Sequence, residues 1–552
     1  MKKLQYTILF IIFILSYSCE EFLEEEPITS LSSSWVYENM DGYQTGVNAL
    51  YNLNRAYFGG EGQQHQGIPM LMSDLVGVRA GFPAWVYYSP LYVTPTAPSF
   101  PINYIWTQHY RIIDRSNALI ASSVNFGEDI KSHEAEARMF RAHSYFTLYR
   151  LFNNLHLSLE PTTPENAFDI EYKVAAPRDI FDAINKDIDF AIEQLPWITS
   201  EIGRWTKASA KHLKAKVALW QSYDSETQAE DLDVDSYYQQ ALTQSEELIN
   251  YGHYDLARVS DVFGSEDKPS KYSEENLFTI NFDLELEGNN GGGQKHRMGT
   301  MTTARYQELK GVVEEDALGQ GLSWAMPSNY LLNLYGNDDT QRRKDKRFTS
   351  YYIQNYTYND IASLPGGVQV GDIVTNAEQK LSSEDYYRRL HPSLAKYIDF
   401  ETTATTWSFS DIIVYRLAET YLIACEAAHL LGDNDTGVEY LNQIRRRAYD
   451  LPITQSSSID FSATELDIDL ILDERARELA MEGQRWYTLK RTGKLIEYIR
   501  DHAGHEPGFT NLIGGELKTD AQENILPHHI NFPIPQKQID VMGAPEFQNA
   551  GY

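Results

Sequence analysis

The chain has 552 residues, 42% hydrophobic and 23% charged, which is a globular composition with enough length for a large core. A formal net charge of -31 repels phosphate backbones and weighs against a nucleic-acid partner. Two cysteines exclude a disulfide framework and a cysteine-based zinc site.

The first elements concern targeting. Lys2 and Lys3 precede an apolar run over 4–17, shorter than the ~20 residues a spanning helix needs. Ser16 and Ser18 then lead to Cys19, with Leu15 upstream, an order that resembles a bacterial lipobox although Tyr17 is bulkier than usual. The expectation is a signal peptide over 1–18 and a lipidated Cys19, whose several acyl chains suffice for stable anchoring. The acidic run at 20–26 follows directly.

From residue 34 the pattern turns helical, with Met40, Val47, Leu50, Tyr51 and Leu53 at helical spacing, and it breaks over 59–67. Gly81, Pro83, Pro90, Pro95, Pro98 and Pro101 forbid a long helix over 80–101. Helices are predicted over 102–124, 132–152, 179–194, 207–221 and 236–251, where Ala208, Ala210, Ala215 and Ala218 let two helices approach closely. Residues 255–412 are mixed, with short strands expected at 277–284 and 369–374. Helix returns over 412–431 and 436–449. The fold class is therefore mainly α: irregular tetratricopeptide-like helical hairpins in one large domain, with loop-rich and short β-hairpin insertions. The helical body spans about 34–255 and 412–500, and the loop-rich part about 256–411.

Residues 471–494, ILDERARELAMEGQRWYTLKRTGK, carry an apolar stripe of Leu472, Ala476, Leu479 and Ala480, with Glu474–Arg477 and Arg475–Glu478 pairs on its flanks. The phrase ERxxELxxEGxRWYxLxRxG resembles the C-terminal signature of the SusD/RagB family of outer-membrane nutrient-binding lipoproteins. Further resemblances are Gly203-Arg204-Trp205-Thr206-Lys207 before a helix, RLAETYLIACEA with GVEYLNQIRRRA, FPIPQKQID, and QNAGY at the C-terminus. They cover essentially the mature chain, 19–552. The acidic run after Cys19 also resembles the surface-export signal of Bacteroidetes lipoproteins. The resemblance implies a protein lipid-anchored in the outer membrane and facing the exterior. It would capture a glycan and pass it to a SusC-like TonB-dependent transporter.

Catalytic phrases are missing. His133-Glu134 is not followed by the second His of a zinc motif, because position 137 is Ala. The glycine-rich 288–293 lacks a phosphate-binding Lys. Asp231, Asp233 and Asp235 begin like a calcium loop, but Ser236 and Leu242 break the pattern and leave only an incidental calcium site. Cys425 sits on an apolar helix face and reads as a small buried hydrophobe. The expectation is no enzyme and no cofactor.

A glycan platform needs aromatic rings presented by loops, with polar edges. Trp85, Tyr87 and Tyr88 lie in the Pro/Gly-rich segment, and Trp85 shares a face with Tyr87 if the backbone is extended. By position, the resemblance makes Trp85 the first candidate, with Asp74 and Arg79 as edge partners. Trp324 before a helix is the second, and 282–297 is a further wall. The competing readings are a peptide-capturing relative of the same family, a tetratricopeptide-like protein-binding scaffold, and a surface glycosidase.

Overall fold

A computed structural model describes residues 33–59, 73–78, 100–264, 270–282, 295–399, 407–503 and 524–552. The signal peptide 1–18, Cys19, the acidic run 20–26 and the glycine-rich 288–293 lie outside them.

After a short helix, Ser33–Glu38, come α1 (Met40–Phe58), α2 (Phe100–Ser122), α3 (Lys131–Phe152), α4 (Pro177–Gln194), α5 (Lys207–Tyr223) and α6 (Val234–Ile249). They pack as successive neighbours; after the insertion α7 (Leu417–Leu430) docks on α6, and α8 (Asn434–Ala448) packs on α7. Local chemistry sets the starts. The Asn39 side chain accepts from the backbone N–H groups of Asp41 and Gly42 at the head of α1. Pro177 occupies the first turn of α4, where its missing N–H costs nothing. The same tolerance lets α2 include Pro101, so this helix begins before the expected residue 102. Thr206 and Ser209 exchange side-chain and backbone hydrogen bonds at the head of α5, a capping box. Asp233, from the calcium-like run, caps α6 by accepting from Ser236 N–H at 2.9 Å.

α3 is buried on nearly every side and is the axis of the body. Between α5 and α7, Ala215 and Ala218 meet Ala424, Ala427 and Ala428, the close approach that small residues allow. Cys425 is fully buried beside this contact, and burial pushes its thiol up. The mainly helical, hairpin-built architecture agrees with the pattern in the sequence.

Among the described residues, the insertion and the segments that flank it carry short helices and three antiparallel strand pairs. β1 (Val76–Val78) pairs with β3 (Ala325–Pro327), β2 (Asn276–Ile280) with β6 (Ile412–Arg416), and β4 (Tyr352–Ile353) with β5 (Ser393–Leu394). It has a small core of its own, in which Tyr306 stacks on Tyr356 at 4.9 Å beside Met326, Tyr358 and Tyr387. Two expectations change. Residues 412–416 are strand, not the first turn of a helix: the β-branched and aromatic run IIVYR finds a partner in β2, and the helix starts at Leu417. Residues 369–374 form no strand and touch Thr357 through one bridge at Ile373.

The 471–494 stretch also differs. Helix α9 (Ile468–Glu478) ends at Leu479, the chain turns through left-handed Met481 (φ 59°) and Gly483 (φ 77°), and α10 (Arg485–Arg491) starts anew. Glu474 does bond Arg477, at 2.7 Å, but Arg475 does not pair with Glu478: it reaches Glu419, at 3.3 Å. Nor do Glu474 and Glu478 lie on exposed flanks. Both are fully buried. Glu478 accepts from Arg416 at 2.7 Å, Arg447 at 2.5 Å, Arg347 at 3.1 Å and Tyr351 at 3.3 Å, and its carbonyl accepts from Arg416 and Lys396. Arg347 also holds Glu474 at 2.7 Å and Asp345, Arg416 holds Glu482, and Arg447 and Arg416 both hold Glu275. One buried charge network thus joins α8, α9, β6, the start of β2 and the insertion.

Removing one charge from such a network strands its partners in low dielectric. Glu478→Gln is expected to destabilise the fold by about 3–5 kcal/mol in denaturant unfolding; a loss under about 1 kcal/mol would show that the network is dispensable. Burial opposes ionisation of Glu474, but Arg347, Arg477 and Arg445 overcome it and hold the carboxyl at about 2. Glu478 is likewise held well below the usual range by Arg447, Arg416 and Arg347 against burial. A depressed carboxylate contributes fully above its unfolded value of ~4.3 and loses that contribution as pH falls through its folded value. Stability should therefore decline progressively from about pH 5 to about pH 2, and less steeply in Glu478→Gln.

Candidate functional site

The chain carries nine Trp. Trp106, Trp205, Trp220 and Trp486 are buried in the body, and Trp197 is closed against Tyr251 in a stacked pair at 4.0 Å. Trp324 and Trp407 differ. Both are half-buried residues of the insertion, each packed by one side on the core.

Their positions are set by backbone. Residues 322–324 wrap the short helix Met298–Met301: Leu322 N–H donates to Thr300, Ser323 to Thr303 and Trp324 to Met301, at 2.8–2.9 Å, with Ser323 in the left-handed region at φ 52°. Trp407 precedes Ser408, which pairs with His296 through both backbone hydrogen bonds, at 2.9 and 2.8 Å. His296 locks this bridge. Met298 N–H donates to its Nδ1 at 3.1 Å, so Nε2 carries the proton and donates to the Ser410 carbonyl at 2.7 Å. Burial lowers its pKa to about 4, so the ring stays neutral. Asp399 accepts from Phe409 N–H, and Asp411 from Phe282 N–H at 2.9 Å, which knits the remaining edges.

The result is a row. The Arg297 guanidinium lies 4.0 Å from the Trp407 ring centre and 5.6 Å from that of Trp324, and the Lys295 ammonium lies 4.9 Å from Trp407. Two indoles with cations between and beside them bring flat apolar rings and cationic N–H groups together in one place. Of the expected 282–297 wall, Phe282 and residues 295–297 are described and border this row. Trp407 was not among the sequence candidates. Its signal was present, a Trp in the Thr/Ser-rich stretch before β6, but no spacing ties it to Trp324.

The other candidates fall differently. Ala325, next to Trp324, pairs with Val78, so the chain leaves β1 beside the row. Arg79, Trp85, Tyr87 and Tyr88 follow at once and lie outside the described residues. Asp74 does not serve as an edge partner. It is fully buried, and both carboxylate oxygens are taken by Arg485, at 2.9 and 2.7 Å. Its carbonyl accepts from the Ser328 hydroxyl. Asp74 thus pins the β1–β3 pair to α10.

Two other clefts differ in character. One of about 340 Å³ is lined by Asn48, Asn52, Arg55, Arg204 and Asn281, and the adjoining one of about 300 Å³ by Tyr254, Tyr272 and Lys271. Neither presents an indole. Glu136, near the first, has its carboxyl raised to about 7 by burial, but Arg204 and Tyr51 hold it as a structural group. Among the described residues no cluster of His, Cys, Asp and Glu is arranged to hold a metal ion. No helix among them is long and apolar enough to cross a membrane.

Residues 274–552 match the family model described as SusD family, and residues 62–219 one described as starch-binding associating with outer membrane. Two SusD-like proteins of Formosa agariphila are similar over most of their length: one is 23% identical over 98% of this chain and 97% of its own, the other 24% over 87% and 90%. Among solved structures, a SusD homologue from Bacteroides thetaiotaomicron superposes with a TM-score of 0.72 at 18% identity, covering 93% of this chain and 97% of that one. A laminarin-binding SusD-like protein gives 0.67 at 23% identity, covering 94% and 100%, and surface glycan-binding protein A of Bacteroides thetaiotaomicron gives 0.69 at 18%, covering 93% and 100%.

Asp74→Ala leaves Arg485 buried without its counter-charge and is expected to lower stability by about 3–5 kcal/mol in denaturant unfolding. Lost ligand retention at unchanged stability would instead return Asp74 to the binding site.

Proposed function

Because the chain belongs to the SusD family, we propose that it captures a glycan at the outer membrane and passes it, unaltered, to a SusC-like TonB-dependent transporter. On this reading Cys19 carries the lipid anchor and the protein faces the cell exterior. The observation that carries the proposal is the Trp324–Arg297–Trp407 row. Sugar rings have apolar C–H faces that pack on indole, and hydroxyls that accept from guanidinium and ammonium groups. Trp85, Tyr87, Tyr88 and Arg79 stay in the proposal as ligand residues on the strength of the sequence and the family resemblance.

Relatives support the ligand class: one neighbour is named as laminarin-binding and another as a surface glycan-binding protein. A protein-binding scaffold would use the helical body and leave the row without a role. A glycosidase would need two opposed carboxylates flanking a bound sugar, whereas Asp399 and Asp411 beside the row accept from the backbone N–H groups of Phe409 and Phe282.

The test is affinity electrophoresis of the chain lacking residues 1–19 against plant, host and microbial polysaccharides. Retardation by one of them is expected, with no release of reducing ends. Trp407→Ala should weaken binding about 10-fold or more, and Trp324→Ala by a similar factor. Retardation unchanged in both folded variants would move the site elsewhere. No retardation by any glycan would favour peptide capture.

A further inference from the structure

The body contains a second feature, which meets the segment of the aromatic row only through Met298. Where α3, α5, β6 and α10 meet there is an interior cavity of about 80 Å³, lined by Arg150, His143, Lys216, Tyr415, Gln484 and Tyr487 among others. A hollow of about 30 Å³ shares Arg150, Lys216, Gln484 and Tyr487 and adds Arg475. At roughly 30 Å³ per water in the liquid, this space admits a few water-sized species and no sugar.

Its charge is unbalanced. Arg150 is 6% exposed, and its guanidinium is held between the rings of Phe146 and Tyr487, 4.1 and 4.0 Å away. Only its Nε makes a hydrogen bond, to the Phe146 carbonyl, and among the described residues no carboxylate pairs with it. The nearby carboxylates are already shared. Glu419 serves Lys216, His212 and Arg475; Glu482 serves Arg416 and Lys396; Glu426 serves Arg491. Arg475 is buried too, and its Nε and Nη1 find no acceptor. A guanidinium with no carboxylate partner and two orphaned N–H groups lining one small polar hollow are costly unless an acceptor joins them, and a negatively charged one suits them best.

We propose that this cavity is a binding site for a small monovalent anion of the halide type, held by Arg150 with Lys216 and Arg475 at its walls. The field around it agrees. Burial and the Arg150 charge together hold His109 down to about 3, and His143 is held well below its usual range by burial, His109, Arg150 and Lys216. Lys216 is lowered to about 8, by burial first, with Arg150 adding to it against Glu419. An anion here would fasten α3 to α10 without touching the glycan row.

The direct probe is bromide, soaked into crystals of the wild-type chain lacking residues 1–19, with anomalous scattering as the readout. A bromide peak in contact with the Arg150 guanidinium is expected. In solution, replacing gluconate by chloride at constant ionic strength should raise the unfolding midpoint in a saturating manner, and Arg150→Met should abolish that chloride dependence. Bromide found only at the surface, or a midpoint indifferent to chloride, overturns the proposal. If Arg150→Met fails to fold, the wild-type crystal decides alone. Neither result depends on which glycan the protein binds.

Discussion

Glu478 is the interaction on which the rest depends. A carboxylate with no exposed surface stands among three arginines, and each arginine comes from a different part of the chain: Arg347 from the insertion, Arg416 from the end of β6, and Arg447 from α8. Burying so many charges gains little by itself, because desolvation offsets most of the attraction. What it supplies is geometry. An apolar contact tolerates sliding, whereas a guanidinium that leaves its carboxylate meets no water to replace it. The network therefore fixes the insertion on the helical body in one register.

The aromatic row inherits that register. From Arg416 in the network, β6 runs back through Ile412 to Asp411, which holds Phe282, and to Ser410 and Ser408, which hold His296. Trp407 and Arg297 are the adjoining residues. On the other side, Asp74 ties β1 and β3 to α10, and Trp324 is the residue before β3. Both indoles are thus one residue beyond a strand or bridge anchored in the body. A site that must recognise a flexible polysaccharide benefits from walls set in place beforehand, because less ordering remains to be done on binding.

Much of this was legible in the sequence. The helical body follows from 3.6-residue spacing, and the close alanine contacts from their crowding in α5. The strand at 412–416 was hidden because IIVYR runs straight into a strongly helical stripe, and only its pairing with β2 distinguishes the two. The 471–494 phrase carries the family signature, but its spacing points to i, i+3 pairs on the helix flanks. Spacing of i, i+3 cannot tell an exposed Glu from one that meets arginines 31 to 131 residues away. Asp74 failed as a ligand partner for the same reason: its partner, Arg485, lies 411 residues downstream. Trp324 was singled out while Trp407 was missed, since only the bridge between His296 and Ser408 sets the two around Arg297.

The measurement that bears most directly on the claim that this row is the capture surface is a crystal structure of the protein with an oligosaccharide fragment of whichever polysaccharide retards it. The expected result is a sugar ring within van der Waals contact, about 4 Å, of the Trp407 or Trp324 indole, with a hydroxyl donated to by Arg297 or Lys295. A fragment seated instead in the cleft between Asn52 and Asn281, with the two indoles untouched, would contradict it.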